Sequence, residues 1–257
     1  MLLKLSGAIA SLAALLVVAP LAGTPAKAQQ DRDCILDRCA DKSPQPRDDM
    51  SSERDRPDAP RPRGASAPGD FDFYVLSLSW SPGFCETGGA SKARSQCESG
   101  ANLGFVVHGL WPQYNHGFPS DCGPAGRTPS RIALQSVDGL YPDEGLARYE
   151  WRKHGTCSGK SPTDYFADVR RAREAVVVPT QFTAAHDEQS WTPVDIQRAF
   201  IGSNPRLRAG MMAVECVRGV LEEVRICFSK DLRDFVACPE VSRQFCHTDK
   251  ISVPPMR

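Results

Sequence analysis

Large apolar residues fall at alternate positions across residues 71–80 (FDFYVLSLSW), with Tyr74, Leu76, Leu78 and Trp80 on one face; this period of two predicts a strand. A second strand is predicted over 102–108 (NLGFVVH), running into Gly109, whose backbone freedom allows a sharp turn. Residues 141–157 read as a helix. Pro142 and the acidic pair Asp143/Glu144 suit its first turn, and Gly155 suits the position just past its end. A further helix is predicted over 163–176 with Ser161 or Thr163 as cap, and a third from Thr192-Pro193 to about Ile201. MMAVECV (211–217) and LEEVRICFS (221–229), separated by Arg218-Gly219-Val220, read as paired strands closing the core. Helices and strands mix without a regular βαβ rhythm, which predicts an α+β fold. No internal repeat is visible.

Two stretches depart from this patterning. Residues 5–21 form an uncharged apolar run after Lys4, followed by Ala26-Lys27-Ala28, an A-x-A cleavage pattern. A membrane anchor is the competing reading, but Gly7 and Pro20 interrupt a run already short of the ~20 apolar residues a span needs. A cleaved signal peptide over 1–28 is therefore expected, with a secreted or periplasmic destination. Residues 29–70 are dense in Asp, Arg and Pro and lack aliphatic clusters, so they cannot offset their ordering entropy by burial; an arm without a core is expected there. Export implies an oxidising compartment, and the ten cysteines are then mostly disulfides, with Cys34 and Cys39 closing a small local loop. Thirty-one basic and 31 acidic residues give zero formal charge. That balance argues against wrapping long duplex nucleic acid, while leaving room for a site that grips one or two phosphates.

Two segments carry candidate chemistry. In FVVHGLWPQY, His108 ends the predicted strand and Trp111 and Tyr114 follow closely. In YEWRKHGTC, Glu150 precedes Lys153 by three positions and His154 by four, so a helix places acid, cation and imidazole on one face, with Trp151 turned to the core. Each cluster alone has an ordinary explanation: a hydrogen-bonded strand-end histidine, or a solvated helix face. A metal held by His108, Glu150 and His154 is the third reading; Lys153 would put a positive charge beside the ion, and the helix lacks the H-E-x-x-H spacing of zinc proteases.

Taken together, HGLWP (108–112) and EWRKHGTC (150–157) resemble the two active-site motifs of the ribonuclease T2 family, secreted endoribonucleases, over residues 71–246. The resemblance implies an α+β fold with a central antiparallel sheet flanked by helices, and a catalytic domain over 71–257. It implies the disulfides Cys122–Cys157, Cys227–Cys238 and Cys216–Cys246, which leaves Cys85–Cys97 as a local bridge; each closure adds ~2–4 kcal/mol.

The activity implied is metal-independent cleavage of single-stranded RNA to 2′,3′-cyclic phosphate ends with low base specificity, needing no cofactor, by a monomer. His154 is the implied base and His108 the acid; Lys153 stabilises the transition-state charge, and Glu150 holds Lys153 and His154 or hydrogen-bonds a phosphate oxygen. Trp111 and Tyr114 are candidates for stacking a base, worth ~1–3 kcal/mol. One position departs from the pattern. Tyr149 stands where the family usually carries a phosphate-binding histidine, and a tyrosine hydroxyl can donate one hydrogen bond but carries no positive charge. His116, His186 and His247 match no motif. A non-catalytic RNA-binding protein on the same fold is the alternative.

Overall fold

The computed structural model describes residues 67–123 and 128–256. The expected signal peptide, nearly all of the arm and the Cys34/Cys39 loop lie outside them. Ala67–Asp70 are the described end of the arm, and there the Gly69 amide donates to the Cys157 carbonyl (2.9 Å).

The 71–80 alternation becomes β1 (Phe73–Trp80), whose eight residues are all buried. β1 lies between β2 (Phe105–Gln113) and β5 (Val220–Ser229), antiparallel to both. β4 (Met212–Val217) joins β5 as a hairpin. Its turn residues Arg218 and Gly219 both have positive φ (51° and 77°), the geometry a two-residue hairpin turn prefers. Two three-residue strands, β3 (Gln189–Trp191) and β6 (Ile251–Val253), pair with each other and extend the sheet; β6 meets β5 in parallel at Val220–Ser252. The sheet order is β2-β1-β5-β6-β3, with β4 beside β5. The α+β class is as expected, and every pairing except β5–β6 is antiparallel.

The helices are α1 (Ser81–Glu86), α2 (Arg131–Gln135), α3 (Glu144–Lys153), α4 (Pro162–Glu174), α5 (Pro193–Ser203) and α6 (Pro239–Ser242). Asp143, Ser161 and Thr192 cap α3, α4 and α5 by accepting backbone N–H bonds three residues on. No helix among the described residues is long and apolar enough to cross a membrane.

The sheet has two unlike faces. Tyr74, Leu76, Leu78 and Trp80 meet Trp151 of α3, Tyr165 and Phe166 of α4 and Phe200 of α5 in the main core. On the reverse face a smaller cluster gathers Phe73, Val75, Ala213 and Cys227. Further along that face β1 carries only Ser77 and Ser79, opposite Arg225 and Glu223 of β5. Small side chains on one strand leave room for long charged ones on its neighbour. That polar stretch of an otherwise apolar sheet is where the site lies.

The four expected disulfides are present: Cys85–Cys97, Cys122–Cys157, Cys216–Cys246 and Cys227–Cys238.

Candidate functional site

Gly109 does not end the strand, contrary to expectation. β2 continues to Gln113, and pairing with β1 skips a residue: Ser77 faces Gly109 and Leu78 faces Val107, leaving His108 as the extra residue of a β-bulge. A regular strand would point His108 and Trp111, three positions apart, to opposite faces. The bulge resets the phase, and their rings meet edge-to-face with centroids 5.2 Å apart. Gly109 is required for a different reason from turning. A Cβ there would lie 2.9 Å from Trp111 Cδ1 and closer still to Trp111 Nε1 and Glu150 Oε2.

The second motif also differs in detail. Helix α3 stops at Lys153, and His154 leaves helical geometry (φ −123°, ψ −42°), although its amide still donates to the Glu150 carbonyl at 2.9 Å. The expectation that Glu150, Lys153 and His154 share one helical face therefore fails at the helix end. Glu150 does not hold Lys153. It is buried, its Oε2 accepts from Trp111 Nε1 (2.7 Å), and its Oε1 lies 3.7 Å from His108 Nε2. Lys153 instead pairs with Asp121 (2.7 Å), whose amide donates back to the Lys153 carbonyl (2.8 Å); the Cys122–Cys157 bridge anchors this clamp one residue away. His154 packs against Trp111 (5.3 Å between centroids) and Phe118, and its Nδ1 is buried without a hydrogen-bond partner among the described residues.

Two residues outside both motifs complete the site. His108 Nδ1 hydrogen-bonds Glu223 in a short contact. Arg225, two positions along the same face of β5, donates to Glu223 (3.0 Å) and Gln244 (2.8 Å) and forms an ion pair with Glu215 (2.5 Å), with its guanidinium 5.2 Å above the Trp111 ring. The sequence signal for them was faint but physical. Glu223 and Arg225 are opposite charges at alternate positions in a strand that also places Val224, Ile226 and Phe228 in the core, a setting where unpaired charge is rare.

This environment drives the two imidazoles apart. Burial pulls the His108 pKa down, but the hydrogen bond to Glu223 and the negative charges of Glu223 and Glu150 outweigh it and raise it above the ordinary value. Burial, with the positive charges of His108 and Lys153, pushes His154 down to about 4. Glu150 is pushed up to about 7 by burial, opposed by His108 and the Trp111 hydrogen bond. Glu223 goes the other way, to about 2, because His108 and Arg225 overcome its burial. Lys153 is raised by its hydrogen bond to Asp121.

Two cavities open here. One, of about 250 Å³, is lined by Trp111, Phe118, His154, Arg225 and Gln244; the other, of about 670 Å³, by His108, Tyr149, Phe84, Lys92 and Glu223. Tyr149 is half-exposed on the second, while Tyr114 packs against the main core and lines neither. The site thus joins His108, Trp111, Glu150 and His154, holds Lys153 at its edge, and leaves Tyr114 outside.

The family model described as the Ribonuclease T2 family matches residues 71–238. A ribonuclease of Aeromonas hydrophila is 38% identical over 178 residues, covering 67% of this chain and 78% of that protein. Among solved structures, the RNase-related protein from Calystegia sepium superposes with a TM-score of 0.56 at 22% identity, over 73% of this chain and 98% of that one. RNase NT, solved in complex with 5′-AMP, superposes with a TM-score of 0.52 at 23% identity, over 73% of this chain and all of that one.

Proposed function

The chain belongs to the ribonuclease T2 family, and from that premise we propose that it is an exported, metal-independent endoribonuclease that cleaves single-stranded RNA through the ribose 2′-OH. The observation that carries the reading is the convergence of two histidines on one indole, the His108 and His154 rings lying 5.2 and 5.3 Å from Trp111, in surroundings that shift their pKa values in opposite directions. At neutral pH His154 is unprotonated and able to accept a proton, while His108 is biased toward the protonated form and able to give one. RNA supplies its own nucleophile, so no activated water enters the first step.

In that step His154 takes the 2′-hydroxyl proton as the 2′ oxygen bonds to phosphorus. The bond from phosphorus to the 5′ oxygen breaks, and His108 Nε2 delivers its proton to the departing oxygen. The products are a 2′,3′-cyclic phosphate and a free 5′-hydroxyl. Each transfer contributes ~10²–10⁴-fold. Lys153 lies close enough to depress His154 electrostatically and adds positive charge where the phosphorane gains negative charge. Glu150, protonated for part of the neutral range, donates to a phosphate oxygen while still accepting from Trp111. The nucleoside carrying the attacked hydroxyl fits beside His154, against Trp111 and Phe118, and the leaving nucleoside fits beside His108 and Tyr149. Stacking on an indole is tolerant of base identity, in keeping with low specificity. Four disulfides support an oxidising destination, secreted or periplasmic.

The test is cleavage of a single-stranded RNA, and of the same oligonucleotide with one 2′-deoxy position, in excess EDTA. Expected are cyclic-phosphate ends from the RNA and no cut at the deoxy position. Loss of cleavage on adding EDTA, or cutting at the deoxy position, overturns the mechanism; no cleavage under any condition favours the non-catalytic RNA binder.

A further inference from the structure

Neither active-site motif contains Glu223, yet it makes the shortest polar contact to His108, from a strand 115 positions away in sequence. Its setting is specific. Ser79, the cross-strand partner of Glu223, is too small to fill the space above the sheet, so the carboxylate reaches the bulged residue of the strand beyond. One carboxylate oxygen meets His108 Nδ1 and the other accepts from Arg225 Nε (3.0 Å), with a terminal guanidinium nitrogen in ion-pair contact at 2.9 Å. Arg225 is itself fixed by Glu215, Gln244 and the face of Trp111. Trp111 donates to Glu150, and Glu150 faces the other edge of the His108 ring. His108 is thus gripped at Nδ1, while its Nε2 lies 3.7 Å from Glu150 Oε1, beyond hydrogen-bond distance, and its side chain is about 36% exposed.

We propose that Glu223 is a positioning residue that fixes the His108 imidazole with one proton on Nδ1, so that the transferable proton sits on Nε2, and that Arg225 holds Glu223 in place. The inference rests on reading His108 as the acid of RNA cleavage. An imidazole whose Nδ1 proton is committed to a carboxylate has one tautomer when neutral and a stabilised cation when charged. The groups facing it are Glu223, Glu150 and Arg225, with His154 coupled to it through charge. Glu223, joined by Glu150 when that carboxyl is ionised, is what keeps the acid protonated; the Arg225 charge opposes this but keeps Glu223 ionised.

Glu223→Gln keeps size and one hydrogen-bond acceptor but removes the charge. The expected result is a kcat on RNA lowered by ~10²-fold with KM within threefold, and a basic limb of the pH–rate profile moved at least one pH unit toward acid. A variant with wild-type kcat, or one that loses activity with an unmoved pH profile, overturns the proposal. Should Glu223→Gln not fold, ¹⁵N-histidine NMR of the wild-type protein decides. His108 with a strongly downfield Nδ1 proton at neutral pH is expected, and an unprotonated Nδ1 overturns it. Because that spectrum needs no RNA, it separates failure of this inference from failure of the ribonuclease reading, which absence of RNA cleavage by the wild-type protein would reveal.

Discussion

Replacing Glu150 by Gln should make the protein more stable at alkaline pH while impairing its activity. Burial pushes the Glu150 pKa from an ordinary 4.5 up to about 7. A carboxyl raised in the folded state contributes stability that is complete below its unfolded pKa and is lost as pH climbs through the folded one. That loss therefore runs from about pH 4.5 to just above 7. At ~1.4 kcal/mol for each pH unit separating the two values, the ionised side chain costs the wild-type fold about 3 kcal/mol at about pH 8.5. The amide of the Glu150→Gln variant has nothing to ionise, and its oxygen can keep the 2.7 Å bond from Trp111 Nε1. Urea denaturation of both proteins at about pH 4.5 and about pH 8.5 measures the difference directly. The variant should gain roughly 2–4 kcal/mol relative to wild type between those pH values. Its kcat should fall, though less than that of Glu150→Ala, because the amide still offers one donor and one acceptor. A stability difference that is flat with pH refutes the reasoning, since Glu150 would then titrate as an ordinary surface glutamate.

Gly109→Ala forces Trp111 Nε1 and Glu150 Oε2 back from the new methyl, and a displacement of about 1 Å at a reacting constellation costs on the order of 10²-fold in kcat; steady-state kinetics within threefold of wild type would contradict this. Removing the Cys122–Cys157 bridge by paired Ser substitutions opens a loop of sequence separation 35. It should lower stability by about 3–4 kcal/mol, a fall in melting temperature of roughly 6–15 °C by calorimetry. The same variant should raise KM, because Asp121 loses the anchor from which it clamps Lys153. Tyr149→His introduces a cation beside the His108 cavity when protonated; KM for RNA should drop below the wild-type value at about pH 6 and match it at about pH 8.

What the sequence disclosed follows the reach of each physical signal. The caps Ser161 and Thr192, the acidic pair Asp143/Glu144 and the alternation of β1 are local, and they placed the starts of their elements within a few residues. β3 and β6 have three residues each, too few for a period to register. The bulge at His108 is a property of the β1–β2 pairing, so β2 alone reads as a strand that stops at its glycine. The helical face predicted for Glu150, Lys153 and His154 extends the helix period one residue past the point where the backbone leaves it. Both histidines were legible because the motifs are long and contiguous. Glu223 and Arg225 were not, since their partners lie on other strands and only the fold makes them neighbours of His108 and Trp111.

The division of labour between the two imidazoles can be read from one substrate comparison. From a uridine 3′-(4-nitrophenyl) phosphodiester the 4-nitrophenolate departs without protonation, whereas the 5′ oxygen of RNA needs an acid. His108→Ala should lose ~10²–10⁴-fold on RNA yet stay within tenfold of wild type on the nitrophenyl ester, while His154→Ala should fail on both. Rescue of His154→Ala by the activated ester, with His108→Ala inactive on both substrates, would show that the roles are reversed.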